Sequence, residues 1–366
     1  MPKTSLETPE GYEIQDAESL RRRLADLPAG AVLGGAPADW TIDEVGDGNL
    51  NLVFIVEGPD GDICVKQALP YVRLVGDSWP LPLERAYFEY QATVIQAKQV
   101  GGLVPEILHY DPALFLIIME RLKPHIIMRR GMIDAVVYPS FVDHITEYAA
   151  TCLFFTSDLA LTAAEKRPLV AEFSGNAALC KITEDLIFTD PYRIAELNRW
   201  TSPELDDIAV AIRSDADLKR AVSALKLKFL CQTDALLHGD LHTGSIMVTA
   251  TDTRVIDPEF AFYGPMGFDV GKLIGNLLLC YFSQSGHESE PGERDGYRHW
   301  ILETIERFWN GFDKRFVELW TANRTGDAYP PDLFEHAEAD GGEAGRRSLG
   351  QAQQLFMRGL FEDAVG

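Results

Sequence analysis

One stretch of the sequence, residues 237–268, concentrates side chains suited to moving a phosphoryl group. It carries Asp240 near its beginning, and near its end it carries Asp257 and Glu259, separated only by Pro258. Phosphoryl transfer needs one carboxylate to meet the attacking hydroxyl group and a second acidic group to hold Mg²⁺ against the phosphates. We therefore expect Asp240 and the later acidic pair to have different roles.

The segment between the two acidic sites predicts how they come together. Residues 246–248 form a short predicted strand, residues 249–253 a polar turn, and residues 255–256 the returning strand. A hairpin of this size would bring Asp240 and Asp257 to the same end of a sheet. The alternative is a surface loop that carries solvated acids, which is the ordinary explanation for any single aspartate.

Two histidines, His238 and His242, flank Asp240. Histidines in such a loop either bind a metal or hold the loop through hydrogen bonds, and we expect the second role here. Asp269, which follows the stretch, is expected to be structural and to anchor the same loop.

A β-rich unit, residues 41–69, is the first extensive sheet pattern in the chain. Two alternating segments, 51–57 and 62–68, are separated by Gly-Pro-Asp-Gly, which is typical of a hairpin. The preceding turn, Gly46–Asn49, can fold its backbone N–H groups over phosphates, although turns of this composition are common. Lys66 alternates with apolar neighbours, as a lysine that reaches inward to phosphates would. A solvated lysine is the alternative.

Three further elements complete the predicted nucleotide site. A loop marked by glycine and prolines carries Trp79, and a helix over residues 84–100 carries Glu89, which can pair with Lys66. An apolar strand over residues 114–119 leads into a connector between lobes. Backbone groups of three connector residues can bind adenine: Glu120, Arg121 and Leu122.

Composition limits the kind of protein. The chain has 366 residues and is 46% hydrophobic, which suits two lobes around a cleft. Its formal net charge of −23 argues against a nucleic-acid partner. Five scattered cysteines without CxxC spacing, a polar N-terminus and the lack of a long apolar run predict a cytoplasmic protein with no membrane segment.

The order of the patterns predicts an α+β protein with two lobes. Residues 1–119 form the expected nucleotide-binding lobe, which is small and β-rich. Residues 120–366 form the expected catalytic and substrate-binding lobe, which is larger and mainly helical, with apolar stripes such as Phe141, Ile145 and Tyr148 at helical spacing.

Four stretches of the chain resemble the methylthioribose kinase family, whose architecture is the aminoglycoside phosphotransferase type of the protein kinase-like fold. They are residues 46–54, 65–81, 238–246 and 255–269. Ser245 strengthens the resemblance, because the general aminoglycoside-type enzymes usually have a metal-binding asparagine there. The resemblance implies ATP-dependent phosphorylation of 5-methylthioribose on its 1-hydroxyl group, with Mg²⁺ as the metal and a homodimer as the assembly.

The resemblance also implies individual roles. Asp240 would accept or orient the proton of the sugar hydroxyl. The nucleotide and its metal would be held by Asn49 in the glycine-rich loop, Lys66, Glu89, the Glu120–Leu122 connector, Asp257, Pro258 and Glu259, with Asp257 and Glu259 as the metal ligands. Trp79 would lie on a lid-like loop, and Arg346 and Arg347 would lie near the sugar, where positive charge stabilises the transferring phosphoryl group. The C-terminal segment after this arginine pair is shorter than the family pattern leads us to expect.

Two other functions fit parts of the pattern. The first is a kinase of another small alcohol such as homoserine, choline or an aminoglycoside, for which an acidic pocket would be expected. The second is a non-catalytic nucleotide-binding protein, which the joint presence of Lys66, Asp240, Asp257 and Glu259 opposes.

Overall fold

The computed structural model describes residues 6–46, 50–72, 76–330 and 343–365, with side chains for all of these except 76–78 and 343–347. Two lobes follow one another along the chain, as the sequence predicts. A mainly antiparallel sheet comes first, and an array of helices with small two- and three-stranded sheets comes second. The predicted fold class, α+β with a small β-rich lobe and a larger helical lobe, is therefore confirmed.

The N-terminal lobe is built on one antiparallel sheet with the strand order β1-β2-β3-β7-β6. The strands of this lobe are β1 (Thr41–Glu44), β2 (Asn51–Glu57), β3 (Asp62–Ala68), β4 (Tyr71–Val72), β5 (Gly76–Pro80), β6 (Ile107–Asp111) and β7 (Leu116–Glu120). The helices of this lobe are α1 (Ala17–Ala25) and α2 (Arg85–Val100).

The C-terminal lobe is mainly helical. Its helices are α3 (Met128–Ile133), α4 (Phe141–Phe155), α5 (Ala163–Phe173), α6 (Ala177–Leu186), α7 (Asp206–Ser214), α8 (Ala216–Cys231), α9 (Met266–Ser283), α10 (Asp295–Ala322) and α11 (Glu343–Val365). Its short strands are β8 (Ile126–Ile127), β9 (Ala235–Leu237), β10 (Ile246–Val248), β11 (Thr253–Val255) and β12 (Phe262–Gly264).

The sheet of the small lobe follows from its alternating sequence. The hairpin of β2 and β3 has the predicted bounds, and its register pairs Val53 with Lys66. One side of this sheet packs on α1, whose Leu20 and Leu24 are fully buried. A capping box starts that helix, since the Asp16 carboxylate accepts from the Ser19 N–H at 2.8 Å. Burial of this apolar face fixes the strand that carries Lys66.

The core of the large lobe lies between α4, α9 and α10. The stripe predicted on α4 is buried, with Phe141, Ile145 and Tyr148 each at most 3% exposed. It faces a row of aromatic residues on α10, in which Phe316 meets Phe154 edge to face at 5.6 Å between ring centroids. This core gives the helices that carry site residues a rigid support.

Two local predictions are wrong. Trp79 was expected on a loop, but it lies on strand β5, which pairs with β4. Pro80 ends that strand, where its missing N–H interrupts no ladder, so a proline there does not prevent pairing. The acidic, glycine-rich sequence of residues 338–345 also predicts a flexible loop, which is wrong for its last three residues because α11 begins at Glu343.

Among the described residues, the helices are too short or too polar for any of them to cross a lipid bilayer.

Candidate active site

Asp240 lies in the loop that connects β9 to β10, and two side chains hold its carboxylate. One oxygen pairs with the ammonium group of Lys272 on α9, and the other lies 3.3 Å from His242 Nε2. Burial by itself would raise the pKa of Asp240, but the hydrogen bond from His242 and the charge of Lys272 outweigh it. They hold the pKa well below its usual range. Asp240 is therefore ionised and fixed at neutral pH.

The geometry defines the tautomer of His242. Its Nδ1 accepts hydrogen bonds from the backbone N–H groups of Gly244 at 3.0 Å and Ser245 at 3.1 Å. The neutral ring must then carry its proton on Nε2, the atom that faces Asp240. His242 thus binds the backbone of its own loop through Nδ1 and donates to the Asp240 carboxylate through Nε2.

His238 works in the same way on the other side of Asp240. Its Nδ1 accepts from the Asp240 N–H at 3.2 Å, and its Nε2 donates to the Ile256 carbonyl at 2.9 Å. Burial lowers the pKa of His238, so the ring is neutral at pH 7. The prediction that these histidines order the loop is confirmed.

Asp269 anchors the loop, as the sequence predicts. Its carboxylate accepts from the N–H groups of His238 at 2.6 Å and Gly239 at 3.0 Å. Gly239 has φ +80°, and a Cβ there would lie 2.1 Å from the Phe260 carbonyl oxygen. Only glycine fits this turn, which is why the chain can bend between His238 and Asp240.

The second acidic site gathers around Lys66, which is 8% exposed. Its ammonium group lies 2.8 Å from Glu89 on α2 and also pairs with Asp257. Burial would lower the pKa of Lys66, but the Asp257 and Glu89 carboxylates outweigh it and keep the lysine charged. The predicted pair of Lys66 and Glu89 is therefore present, and Asp257 joins it from the other lobe.

Glu259 belongs to the same cluster but has its own support. One of its oxygens accepts from Asn51 Nδ2 at 2.9 Å and lies 3.5 Å from Arg85 Nε. Arg85 is 1% exposed and donates to the carbonyl groups of Leu69 and Leu50, each at 2.7 Å. This arginine thus ties Glu259 to the backbone just before β2 and just after β3.

The cluster suits a divalent cation. Carboxylate oxygens of Glu89, Asp257 and Glu259 lie within 4.8 Å of one another, and Lys66 shows that this space attracts positive charge. Oxygen donors of this kind are the ligands that Mg²⁺ prefers. Asp257 has φ +68°, a left-handed conformation that aspartate tolerates better than most residues.

The two acidic sites are joined through the β10–β11 hairpin. The Ile256 N–H donates to the Ser245 carbonyl at 2.9 Å, and the Ile256 carbonyl accepts from His238. Ile256 directly precedes Asp257 in the chain. The hairpin predicted between the sites is confirmed, with β11 at 253–255 rather than 255–256.

Other candidate residues are less completely described. The Glu120 carboxylate pairs with Arg254 at 2.9 Å and the Glu120 N–H donates to the Glu106 carbonyl at 2.9 Å, while Arg121 pairs with Asp62 at 3.1 Å. Leu122 and Trp79 are half-buried, and Pro258 is buried. Asn49 and the side chains of Arg346 and Arg347 lie outside the described residues, although both arginine positions belong to α11.

Three side chains of the site were missed at the sequence level: Lys272, Asn51 and Arg85. Asp269, Lys272 and Asn276 follow one another at helical spacing on α9, and Asn276 accepts from the Thr243 N–H at 3.0 Å. That spacing of polar residues on an otherwise apolar helix was the available signal for Lys272. Asn51 and Arg85 gave no comparable signal, because Glu259 lies 208 positions from Asn51.

Comparison with known proteins gives the class first. A sequence model described as the phosphotransferase enzyme family matches residues 41–328, which is most of the chain and includes both acidic sites. The protein is thus a phosphotransferase, the class that the fold and the site indicate.

Individual relatives narrow the class. Methylthioribose kinase 1 of Oryza sativa subsp. japonica is 47% identical over 361 residues, which are 98% of this chain and 82% of that one. Methylthioribose kinase of Escherichia coli is 45% identical over 98% of this chain and 84% of that one. The chain belongs to the methylthioribose kinase family. A solved glucosamine kinase in complex with glucosamine, ADP and inorganic phosphate aligns over 98% of this chain and 90% of that one. At a TM-score of 0.45 and an identity of 14%, this similarity assigns no role to any residue of this chain.

Proposed function

We propose that this protein transfers the γ-phosphoryl group of ATP to the 1-hydroxyl group of 5-methylthioribose. The observation that carries the proposal is the identity of 47% to a methylthioribose kinase across 98% of the chain. The geometry supports it, because one ionised aspartate and one cation-attracting cluster are joined by a single hairpin. Phosphoryl transfer requires one carboxylate at the attacking hydroxyl group and a second acidic group that holds the metal against the phosphates.

Each site has one part in the reaction. Asp240 accepts the hydrogen bond of the sugar 1-hydroxyl, orients its oxygen and takes its proton. A new bond forms between that oxygen and the γ-phosphorus, the bond from the γ-phosphorus to the bridging oxygen breaks, and ADP leaves with that electron pair. Lys66, fixed by Glu89, binds the phosphates. Asp257 and Glu259 hold Mg²⁺, which when bound neutralises charge on the phosphates.

The remaining site residues bind substrates in this proposal. The nucleotide lies against Asn49, Pro258 and the backbone of the connector formed by Glu120, Arg121 and Leu122. The sugar lies near Asp240, with Trp79 over the site and Arg346 and Arg347 beside the phosphoryl group. The lobe boundary falls between residues 119 and 120, one residue before the end of β7.

The test is an ADP-release assay with Mg-ATP that compares 5-methylthioribose with ribose, homoserine, choline and an aminoglycoside. We expect selective turnover of 5-methylthioribose, with the product identified as a sugar 1-phosphate by phosphorus NMR. Asp240→Asn keeps the shape of the side chain and should lower kcat by roughly 10²- to 10⁴-fold. Turnover of another alcohol alone would refute the substrate assignment.

We also propose a cytoplasmic homodimer that binds no nucleic acid and no membrane. The net charge of −23 supports the lack of affinity for nucleic acid. Light scattering coupled to size exclusion should give twice the 40.7 kDa mass of the chain. A monomer at micromolar concentration would contradict the assembly.

A further inference from the structure

Helix α9 holds the loop that carries Asp240 at three points along one face. Asp269 binds the backbone at its beginning, Lys272 pairs with the Asp240 carboxylate, and Asn276 binds Thr243 near its end. Two of these contacts reach backbone or a hydroxyl group. Only Lys272 reaches the carboxylate itself, and the proposed function leaves that lysine without a role.

The surroundings of Lys272 favour a fixed and charged position. Its ammonium group lies 5.6 Å from the centre of the Phe268 ring, and its side chain is 21% exposed. A cation between an aromatic face and a carboxylate is held from two directions. Among the residues that the structure describes, the charged or titratable groups that face Asp240 are Lys272 from α9 and His242 and His238 from its own loop, with Asp269 beyond His238.

We infer that Lys272 is a positioning residue for the reaction, which acts by fixing the Asp240 carboxylate for the sugar hydroxyl and keeping it ionised. This inference rests on the proposed function for its kinetic consequence. His242 holds one carboxylate oxygen through a neutral N–H group, and Lys272 holds the other through a full charge. Together they define the plane of the carboxylate and leave its remaining lone pairs for the substrate.

The charge of Lys272 also sets the pH range of the reaction. A carboxylate beside a cation loses its proton more readily, which extends the ionised form of Asp240 to lower pH. With Lys272 in place, the acid limb of kcat/KM for the sugar should lie below the ordinary titration range of aspartate. Without the charge of Lys272, that acid limb should shift to higher pH.

The test compares Lys272→Met, which keeps chain length but removes the charge, with Lys272→Arg, which keeps the charge. We expect Lys272→Met to lower kcat/KM for the sugar roughly tenfold to hundredfold and to raise the acid limb by about one pH unit or more. Lys272→Arg should restore most of the rate and the original limb. Lys181→Met removes a lysine from an exposed pair with Asp185 on α6 and should match the wild type in both respects.

A second measurement does not depend on the substrate. The Asp240 carboxyl carbon, assigned in ¹³C NMR spectra by its loss in Asp240→Asn, should titrate at higher pH in Lys272→Met than in the wild type. An unchanged titration, or an unchanged rate and acid limb, would overturn the inference. If the wild type fails to phosphorylate 5-methylthioribose, the proposed function fails, and the carboxyl titration still decides the role of Lys272.

Discussion

Two lysine–aspartate pairs differ in how the fold supports them. Lys272 and Asp240 both belong to the C-terminal lobe, and they lie on one helix and the loop it anchors. Lys66 and Asp257 come from different lobes and are 191 positions apart in sequence. Lys66 has a second carboxylate behind it, Glu89, whereas Lys272 has an aromatic ring.

This difference shows which contact can be exchanged. Under the proposed function, the buried Glu89 would keep Lys66 in place when Asp257 binds a metal ion, so the cluster would accept the metal without losing its lysine. Among the described residues, Asp240 has no second charged partner that would hold it without Lys272, since His242 contributes only a neutral N–H group. Under the proposed function, the Lys66 cluster would thus exchange one cation for another, whereas the Asp240 site would keep a constant carboxylate geometry.

The largest effect should come from Lys66→Met. It leaves Glu89 and Asp257 without the cation that they share, so we expect a loss of about 3–5 kcal/mol in the free energy of unfolding. Turnover should fall roughly 10²- to 10³-fold because the phosphates lose a charged contact. Urea unfolding and the ADP-release assay measure the two effects. Wild-type stability in this variant would mean that the cluster is not held by its lysine.

A smaller effect is expected from Asn51→Ala. The substitution removes the amide that orients Glu259 and leaves Asp240 untouched. We expect the affinity for Mg²⁺ in the presence of ATP to fall about 10- to 100-fold, as for other residues that orient a metal ligand. Titration of activity with Mg²⁺ gives the value, and excess Mg²⁺ should restore kcat. Failure to recover at high Mg²⁺ would contradict this role.

Helix α9 offers a matched pair of glycine substitutions that lie one turn apart in the helix. At Gly271 a Cβ would lie 2.3 Å from the Ala364 carbonyl oxygen on α11, whereas at Gly275 nothing lies within 4 Å. Gly271→Ala should destabilise the protein by about 1–3 kcal/mol, and Gly275→Ala should stabilise it by up to about 1 kcal/mol. Thermal unfolding of both variants is the measurement. Equal shifts would show that α11 does not pack closely on α9.

The smallest effect concerns the dependence of stability on pH. The pKa of Asp240 is lower in the folded protein than in the unfolded chain, so its ionised form adds stability above the unfolded pKa of about 3.9. That contribution is lost as pH falls through the folded value. The unfolding free energy of the wild type relative to Asp240→Asn should thus be constant from about pH 6 to pH 8 and decline below about pH 4. A constant difference down to the acid transition would contradict the lowered pKa.

Local patterns were sufficient for much of the fold. The β2–β3 hairpin has the predicted bounds, because alternation and a turn sequence define a hairpin without distant partners. The same holds for the histidines around Asp240, whose partners lie on the same loop, at the end of the hairpin that follows it or on the next helix. Pro80 and Pro82 predict a loop around Trp79, but a proline at the last position of a strand leaves its pairing intact.

The sequence patterns do not predict contacts between residues that are far apart in the chain. Lys66 was expected to pair with Glu89, but nothing local indicated that Asp257 would reach the same ammonium group. Arg85 looks like an ordinary residue at the start of a helix, yet the fold buries it against Glu259 and the Leu50 carbonyl just before β2. Such contacts depend on how the lobes meet, which periodicity does not encode.

Binding of Mg-ATP to Asp240→Asn and Lys66→Met tests the separation of the two sites most directly. Calorimetry should show that Asp240→Asn binds Mg-ATP with wild-type affinity although it no longer phosphorylates 5-methylthioribose, while Lys66→Met binds it at least roughly tenfold more weakly. The opposite result, weak nucleotide binding by Asp240→Asn together with normal binding by Lys66→Met, would contradict the assignment of one carboxylate to the sugar and the buried cluster to the nucleotide.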